Sequence, residues 1–399
     1  MITPTIHVGE LALNDSGAFK IGPFGSSLKK SELVKSGIPV AGIENVLPNK
    51  FVKGFRRFIS AAKFEELSDY EVLPSDVLVT TMGTIGRAAS IPADIGRIIF
   101  DSHLFRMRVD TRRVYPPYLC YALNSNLVTS QLKRMARGAI MEGLNTTILR
   151  QCSIPLPDVP KQRLIAGQLE QADRLVYTRN YGLELVDTLL PAVFLQMFGD
   201  PTTNPLDLPF TELGDYLSFV TSGSRGWADY YVPKGARFIR SLDVRMNNIS
   251  DDEAVFVKPP DGAEAERTRV EPGDVLLTIT GSRIGRVAPV PERLGGAFIS
   301  QHVAILRLKP GILPEFLSMF LSLAPGGQRQ IARAQYGQTK PGLNLDQIRE
   351  MRIPVPHINH QQRFLEVVKQ VDRLRAVQRE AMRQAEHLFA SLLDRAFNN

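Results

Sequence analysis

The chain reads as an α+β protein. Two similar globular domains are each followed by a long helix, and the two helices pack as an antiparallel coiled coil about an internal pseudo-twofold axis. Three observations lead there. The phrase GLNTTILRQCSIPLP, beginning at Gly143, returns as GLNLDQIREMRIPVP at Gly342, 199 residues later in a chain of 399. The stretch LPSDVLVTTMGTIGRAASIP from Leu73 returns as EPGDVLLTITGSRIGRVAPVP from Glu271, with Arg283 as one extra residue. After each copy comes a run whose apolar residues recur every three and four positions, the spacing of a helical seam. A repeat this long is a duplicated domain, because solenoid repeats are only about 20–50 residues long.

Within each copy, DVLVTTMG and DVLLTITG are β-branched runs ending at glycine, a strand and then a tight turn. FDSHLFRMRV lines up with ISQHVAILRL and sets His103 against His302, both read as strand residues held by packing or backbone hydrogen bonds. The segments PPYLCYALNSNLVTSQLKRMA and LPEFLSMFLSLAPGGQRQIARA read as helical. SIPLP and RIPVP are exit strands, kept from a central ladder position by their prolines.

The helical seams follow. The first holds Ile165, Ala172, Leu175, Val186, Leu189 and Val193, with polar positions at Gln168, Arg179 and Gln196 and a weak one at Gly182. The second holds Phe364, Val367, Val371, Leu374, Ala381, Ala385, Leu388 and Leu392, with Gln378 as its polar position. Helices of about 38 residues would be roughly 57 Å long at 1.5 Å per residue. An antiparallel pairing sets Arg179 opposite Ala381, Gly182 opposite Gln378, Leu175 opposite Ala385 and Val186 opposite Leu374. Large residues then face small ones. The expected boundaries are 1–155 and 201–355 for the globular domains, with 156–200 and 356–399 for the helices.

Composition narrows the function classes. No apolar run approaches the roughly 20 residues needed to cross a membrane, and the N-terminus lacks the basic and apolar segments of a signal peptide. Cys120 and Cys152 fit no metal or disulfide spacing, which points to a reduced, cytoplasmic setting. The net charge of +7 is concentrated in residues 1–155, where 19 Lys and Arg face 13 Asp and Glu; residues 201–355 carry 18 against 17. Arginine outnumbers lysine 34 to 14, a bias suited to phosphate and guanine edges.

Catalytic motifs fail one by one. YPPY at Tyr115 resembles the Asp/Asn/Ser-Pro-Pro-aromatic motif of amino-methyltransferases, but a tyrosine cannot supply the acceptor carbonyl, so it reads as a loop before a helix. TMGTIGR lacks the Gly-Lys-Ser/Thr ending of a nucleotide loop. None of the 14 lysines has the acid two residues upstream that a nuclease site needs. No catalytic residue, metal ligand or cofactor site is assigned.

Together KIGPFGSSLKKSELVKSGIPVAGIENV, LPSDVLVTTMGTIGRAA, GLNTTILRQCSIPLPDVPKQR and LVDTLLPAVFLQMFGDP closely resemble the specificity subunit of type I restriction–modification systems. The resemblance covers essentially the whole chain. It implies two target recognition domains, each reading half of a split double-stranded DNA sequence. It implies a helix pair that acts as spacer and docks two modification (methyltransferase) subunits, with motor-nuclease restriction subunits joining to cleave. It implies a subunit that catalyses nothing itself. The alternative is a self-contained DNA adenine methyltransferase or fused restriction enzyme.

Two loops per copy are the candidate DNA contacts. In GPFGSSLKK, Gly22 and Gly25 permit a turn, Ser26 and Ser27 donate to phosphate, and Lys29 and Lys30 add charge. The counterparts are Ser222, Ser224 and Arg225. In TMGTIGR and TGSRIGR the candidates are Thr84, Arg87, Ser282, Arg283 and Arg286. Arg56, Arg57, Arg240 and Arg245 are weaker choices. Asn145 and Asn344 are expected to cap the segment that leads into the exit strand.

Overall fold

The computed structural model describes residues 4–15, 17–25, 27–135, 144, 146–335 and 342–398. Two compact units divide the chain: Met1–Asn180 with Ala381–Asn399, and Tyr181–Glu380. The division falls in the middle of both long helices rather than at their ends. Each unit therefore holds the beginning of one helix and the end of the other.

Each unit is built on the same four-stranded antiparallel sheet. In the first unit the order is Phe19–Ile21, Leu104–Met107, Val77–Thr80, Ala88–Ser90. In the second it is Leu217–Ser222, Val303–Leu308, Val275–Thr278, Val287–Pro289. Period-two alternation decides which core each side chain joins. Val77 and Val79 face the core shared with the helices, whereas Leu78 enters a second core under the hairpins. Val275 and Leu277 repeat this against Leu276. The Asp of LPSDV and EPGDV shapes the turn before the central strand. Asp76 and Asp274 accept from the backbone N–H of Leu73 and Glu271 at 2.9 and 2.7 Å. They also pair with Arg108 and Arg307 at 3.3 and 2.8 Å.

The exit strands Ser153–Pro155 and Arg352–Pro354 pair with Thr5–His7 and Phe210–Glu212 in two-stranded sheets. Asn344 caps Leu345–Arg349, its carboxamide oxygen accepting from Gln347 N–H at 2.7 Å; Asn145 lies outside the described residues. YPPY is a helix start, with Tyr115 at the N-cap of Pro116–Asn124.

A buried glutamine fixes each long helix to the domain before it. Gln162 accepts from the Tyr115 N–H and donates to the carbonyls of Arg113 and Pro157. Gln361 does the same for Leu313, Gly311 and Pro356. The helices run Val159–Phe198 and Ile358–Phe397. In the first unit Phe397 packs on Tyr118 at 5.3 Å between ring centroids, and Phe389 on Tyr121 at 6.4 Å. In the second unit Phe194, Phe198, Phe316 and Phe364 form an aromatic cluster with centroids 4.8–5.9 Å apart. The helix segments of the second unit run antiparallel. A Cβ built on Gly182 would lie 3.7 Å from Gln378 Oε1, Asp187 pairs with Arg375 at 3.0 Å, and Phe194 meets Phe364.

Ala172, Val186, Phe364, Val371 and Ala385 of the expected seam are buried, but four of its leucines face outward. Leu175 and Leu374 are 37% and 41% exposed, and Leu189 and Leu388 are exposed as well. Leu169, Leu190 and Phe194 are buried instead, and Phe389 is partly buried. A strict 3.5-residue repeat drifts about 20° per heptad from a straight 3.6-residue helix. Over 40 residues that drift turns some predicted seam leucines outward. The first long helix is also long and apolar enough by composition to cross a membrane. Its Val186, Leu190, Phe194 and Phe198 are instead part of the protein core of the second unit.

Candidate nucleic-acid interface

The antiparallel order of the sheet brings three connections to one end of each unit. In the second unit these are the loop after Ser222, the turn Ile279–Arg286 and the residues just before Val303. Backbone bonds tie them together: Ser224 N–H to Ile299 O at 3.2 Å, Gln301 N–H to Ser224 O at 3.0 Å, and Ile279 N–H to His302 O at 2.9 Å. A fourth piece, the hairpin Val244–Arg245/Asn248–Ile249, joins the same end, because Asn247 N–H donates to Val287 O at 2.7 Å. Asn247 and its first-unit counterpart Asn49 both hold a left-handed φ, 56° and 62°, that asparagine tolerates better than most residues.

In the second unit an open cleft is lined by Arg225, Thr280, Gln301 and His302. Arg225, Arg245 and Ser282 are exposed; Arg283 and Arg286 are half-buried. Arg283 Nη1 donates to Leu242 O at 3.1 Å, which docks the turn on the hairpin. Two expected contacts are internal instead. Ser224 is buried and its hydroxyl donates to Thr268 Oγ1 at 3.3 Å, because the chain must cross the sheet end closely there. Arg240 is spent on Asp243, at 3.0 and 3.3 Å, and on Glu253 O at 2.8 Å, closing the turn before the hairpin. Ser222 is half-buried in its strand, its carbonyl taken by Arg267.

The first unit gives the same loops different chemistry. Gly22 lies where a Cβ would be 2.0 Å from Asp101 O, so this glycine serves close backbone approach rather than amide display; Gly223 is its counterpart, at 2.3 Å from Ile299 O. Gly25 has open space around it. Ser27, Lys29 and Lys30 are exposed, with the Lys29 N–H donating to Glu32 at 2.6 Å; Ser26 lies outside the described residues. Lys63 and this N–H hold the Glu32 carboxyl below its ordinary range. Arg56 is exposed, but Arg57 is an internal strut, 2.6 Å from Asp101 and 3.3 Å from Glu44. Thr84 turns its hydroxyl oxygen inward, buried without a partner, while its carbonyl accepts from the Thr80 hydroxyl. Arg87 is half-buried, and its N–H is held by Thr80 Oγ1 at 3.0 Å.

The two histidines expected as packed strand residues lie instead in the turns just before Leu104 and Val303. His103 is 47% exposed on its side chain, with Nδ1 3.3 Å from the Asp101 carboxylate, and His302 lines the cleft. Their recurrence in both copies was the available signal, and it marks the open end of the sheet rather than the core. The thiols lie elsewhere. Burial pushes Cys120 up to about 12 and Cys152 up to about 11. Among the described residues no group of three or more His, Cys, Asp or Glu could hold a metal ion.

Comparison with known proteins gives a consistent result. Residues 19–184 and 248–385 match the family described as Type I restriction modification DNA specificity domain. The type I restriction enzyme EcoBI specificity subunit of Escherichia coli is 23% identical over 415 residues, covering 94% of this chain and 82% of that protein. The MjaVIII specificity subunit of Methanocaldococcus jannaschii is 19% identical over 341 residues, covering 82% and 79%. The fold is similar to a chain in a solved structure concerning assembly and conformational transition of the type I R-M system, with TM-score 0.61, 16% identity and 99% and 98% coverage. It is also similar to the type I restriction–modification S subunit from M. genitalium, with TM-score 0.58, 14% identity and 99% and 96% coverage. With most of its length matched in two successive stretches, each holding one copy of the repeat, the chain belongs to the type I restriction–modification DNA specificity family.

Proposed function

We propose that this chain recognises a bipartite DNA duplex, one half through each unit, and catalyses nothing itself. Residues 1–155 and 201–355 act as target recognition domains, and 156–200 and 356–399 as spacer helices. Modification subunits, two in number, dock on the helices to methylate adenine, and motor-nuclease restriction subunits join them in the cytoplasm. One observation carries the reading. The same loop-bearing sheet end is built twice on one backbone plan with different side chains at matching places: Thr84 against Ser282–Arg283, and Leu47 against Arg245. A duplicated scaffold with divergent loop tips is what reading two different half-sites requires. Two half-sites raise specificity because each mismatch typically costs about 1–3 kcal/mol, and both halves must match.

The test uses the chain assembled with its modification subunits, on duplexes carrying the sequence methylated in the source strain. Lengthening the unread spacer by one base pair should weaken capture by an order of magnitude or more. Equal capture at every spacer length would overturn the bipartite reading. Exchanging residues 1–155 for those of a relative should change one half of the methylated sequence, and a change in both halves would contradict independent units.

A further inference from the structure

Several arginines of the second unit are held by its own carboxylates. Arg240 pairs with Asp243 at 3.0 Å, Arg293 with Asp251 at 2.6 Å and Arg307 with Asp274 at 2.8 Å. Arg245, Arg283 and Arg286 do not follow this pattern. Among the described residues none of the three has an ion-pair partner. They converge all the same: Arg283 is bonded to the chain three residues before Arg245, and Arg286 follows in the same turn. The Nη1 of Arg286 is buried with no hydrogen-bond acceptor. Burial, and then the charges of Arg283 and Arg245, push the Arg286 guanidinium down from its ordinary value. Three like charges at one sheet end, with a buried donor unsatisfied, are destabilising unless an anion is bound between them.

The first unit lacks this arrangement. Arg87 matches Arg286, but Arg283 is the inserted residue of the second copy, and Leu47 stands where the second unit has Arg245. Leu47 and Met82 are exposed there instead.

We propose that Arg245, Arg283 and Arg286 form a phosphate clamp that grips the DNA backbone in the second half-site, fixing that unit's register without reading its bases. This rests on the DNA-binding function proposed above. It accounts for how a unit of nearly neutral net charge holds a polyanion: the charge is concentrated at one sheet end, on a turn and the hairpin docked to it.

The test is salt-dependent binding by the full chain assembled with its modification subunits, on a duplex of the methylated sequence and on a scrambled duplex. Each phosphate contact contributes about 0.9 to the slope of log K against log salt concentration. R245A, R283A and R286A should each lower the slope by about that much. They should weaken both duplexes by the same factor, leaving the specificity ratio intact. R286K keeps the charge and should retain the slope, which guards against a folding defect in R286A; unfolding of each variant is followed through Trp227. Slopes equal to wild type in all three alanine variants would overturn the clamp. So would a loss confined to duplexes differing at one base pair, which would mean base reading. If the wild-type complex bound neither duplex, the failure would lie with the proposed function and would take the clamp with it.

Discussion

Phe397→Ala should loosen the unit that contains the N-terminus and leave the other unit intact, although residue 397 is near the opposite end of the chain. Phe397 is 4% exposed and packs on Tyr118 within the first unit's core. Truncating a buried phenylalanine typically costs about 3–5 kcal/mol. At the last turn of a helix, where relaxation is easiest, about 3 kcal/mol is the reasonable expectation, or roughly a hundredfold in an opening equilibrium. The chain carries its own reporters. Both cysteines, Cys120 and Cys152, are buried in the first unit. With thiols raised to about 12 and about 11 they are nearly free of thiolate at pH 8, so labelling by a thiol reagent must pass through opening. The one tryptophan, Trp227, is buried in the second unit. Labelling of the variant should therefore accelerate by about a hundredfold, with the denaturant midpoint of Trp227 fluorescence unchanged. Phe198→Ala should do the reverse, because Phe198 packs on Phe316 at 4.9 Å in the second unit. Unchanged labelling in Phe397→Ala, or a shift of the Trp227 transition in its place, would refute the assignment of the helix ends.

Two further substitutions probe the devices that the two copies share. Gln361→Leu leaves the Leu313 N–H and the Gly311 and Pro356 carbonyls without their partner; at about 1–3 kcal/mol for a buried unpaired group, partly relieved by relaxation, the unit should lose about 2–4 kcal/mol. This is read as a lower urea midpoint of Trp227 fluorescence at constant m-value; a loss under 1 kcal/mol would show the clamp to be dispensable. Gly22→Ala should destabilise the first unit severely, because its Cβ would sit 2.0 Å from Asp101 O, whereas Gly25→Ala in the same loop should be nearly neutral; thermal melts that rank the pair the other way would contradict the close approach.

Much of this protein was legible before folding. The duplication is a property of the string alone, and it dictated two α+β domains and two long helices. The β-branched runs at Val77–Thr80 and Val275–Thr278 are central strands, and Tyr115-Pro-Pro starts a helix, as local chemistry demanded. Asn344 is a cap for the same reason: its side chain bonds to its own neighbours. What the sequence could not settle depends on partners distant along the chain. Arg57 and Arg240 read as surface charges until Asp101, 44 residues on, and Asp243 at the mouth of a turn claim them. Gly22 looked like a turn glycine, but the turn at Asp101, before the neighbouring strand, passes so close that a Cβ would sit 2.0 Å from its carbonyl oxygen. Leu175, Leu189, Leu374 and Leu388 turned outward from the expected seam because a heptad count assumes supercoiling to 3.5 residues per turn, and only the packed helices set the actual pitch. Nor could the string show that each helix, started by its own domain, ends in the core of the other unit. Periodicity states which face of a helix is apolar, but what covers that face is decided by which distant residues reach it first.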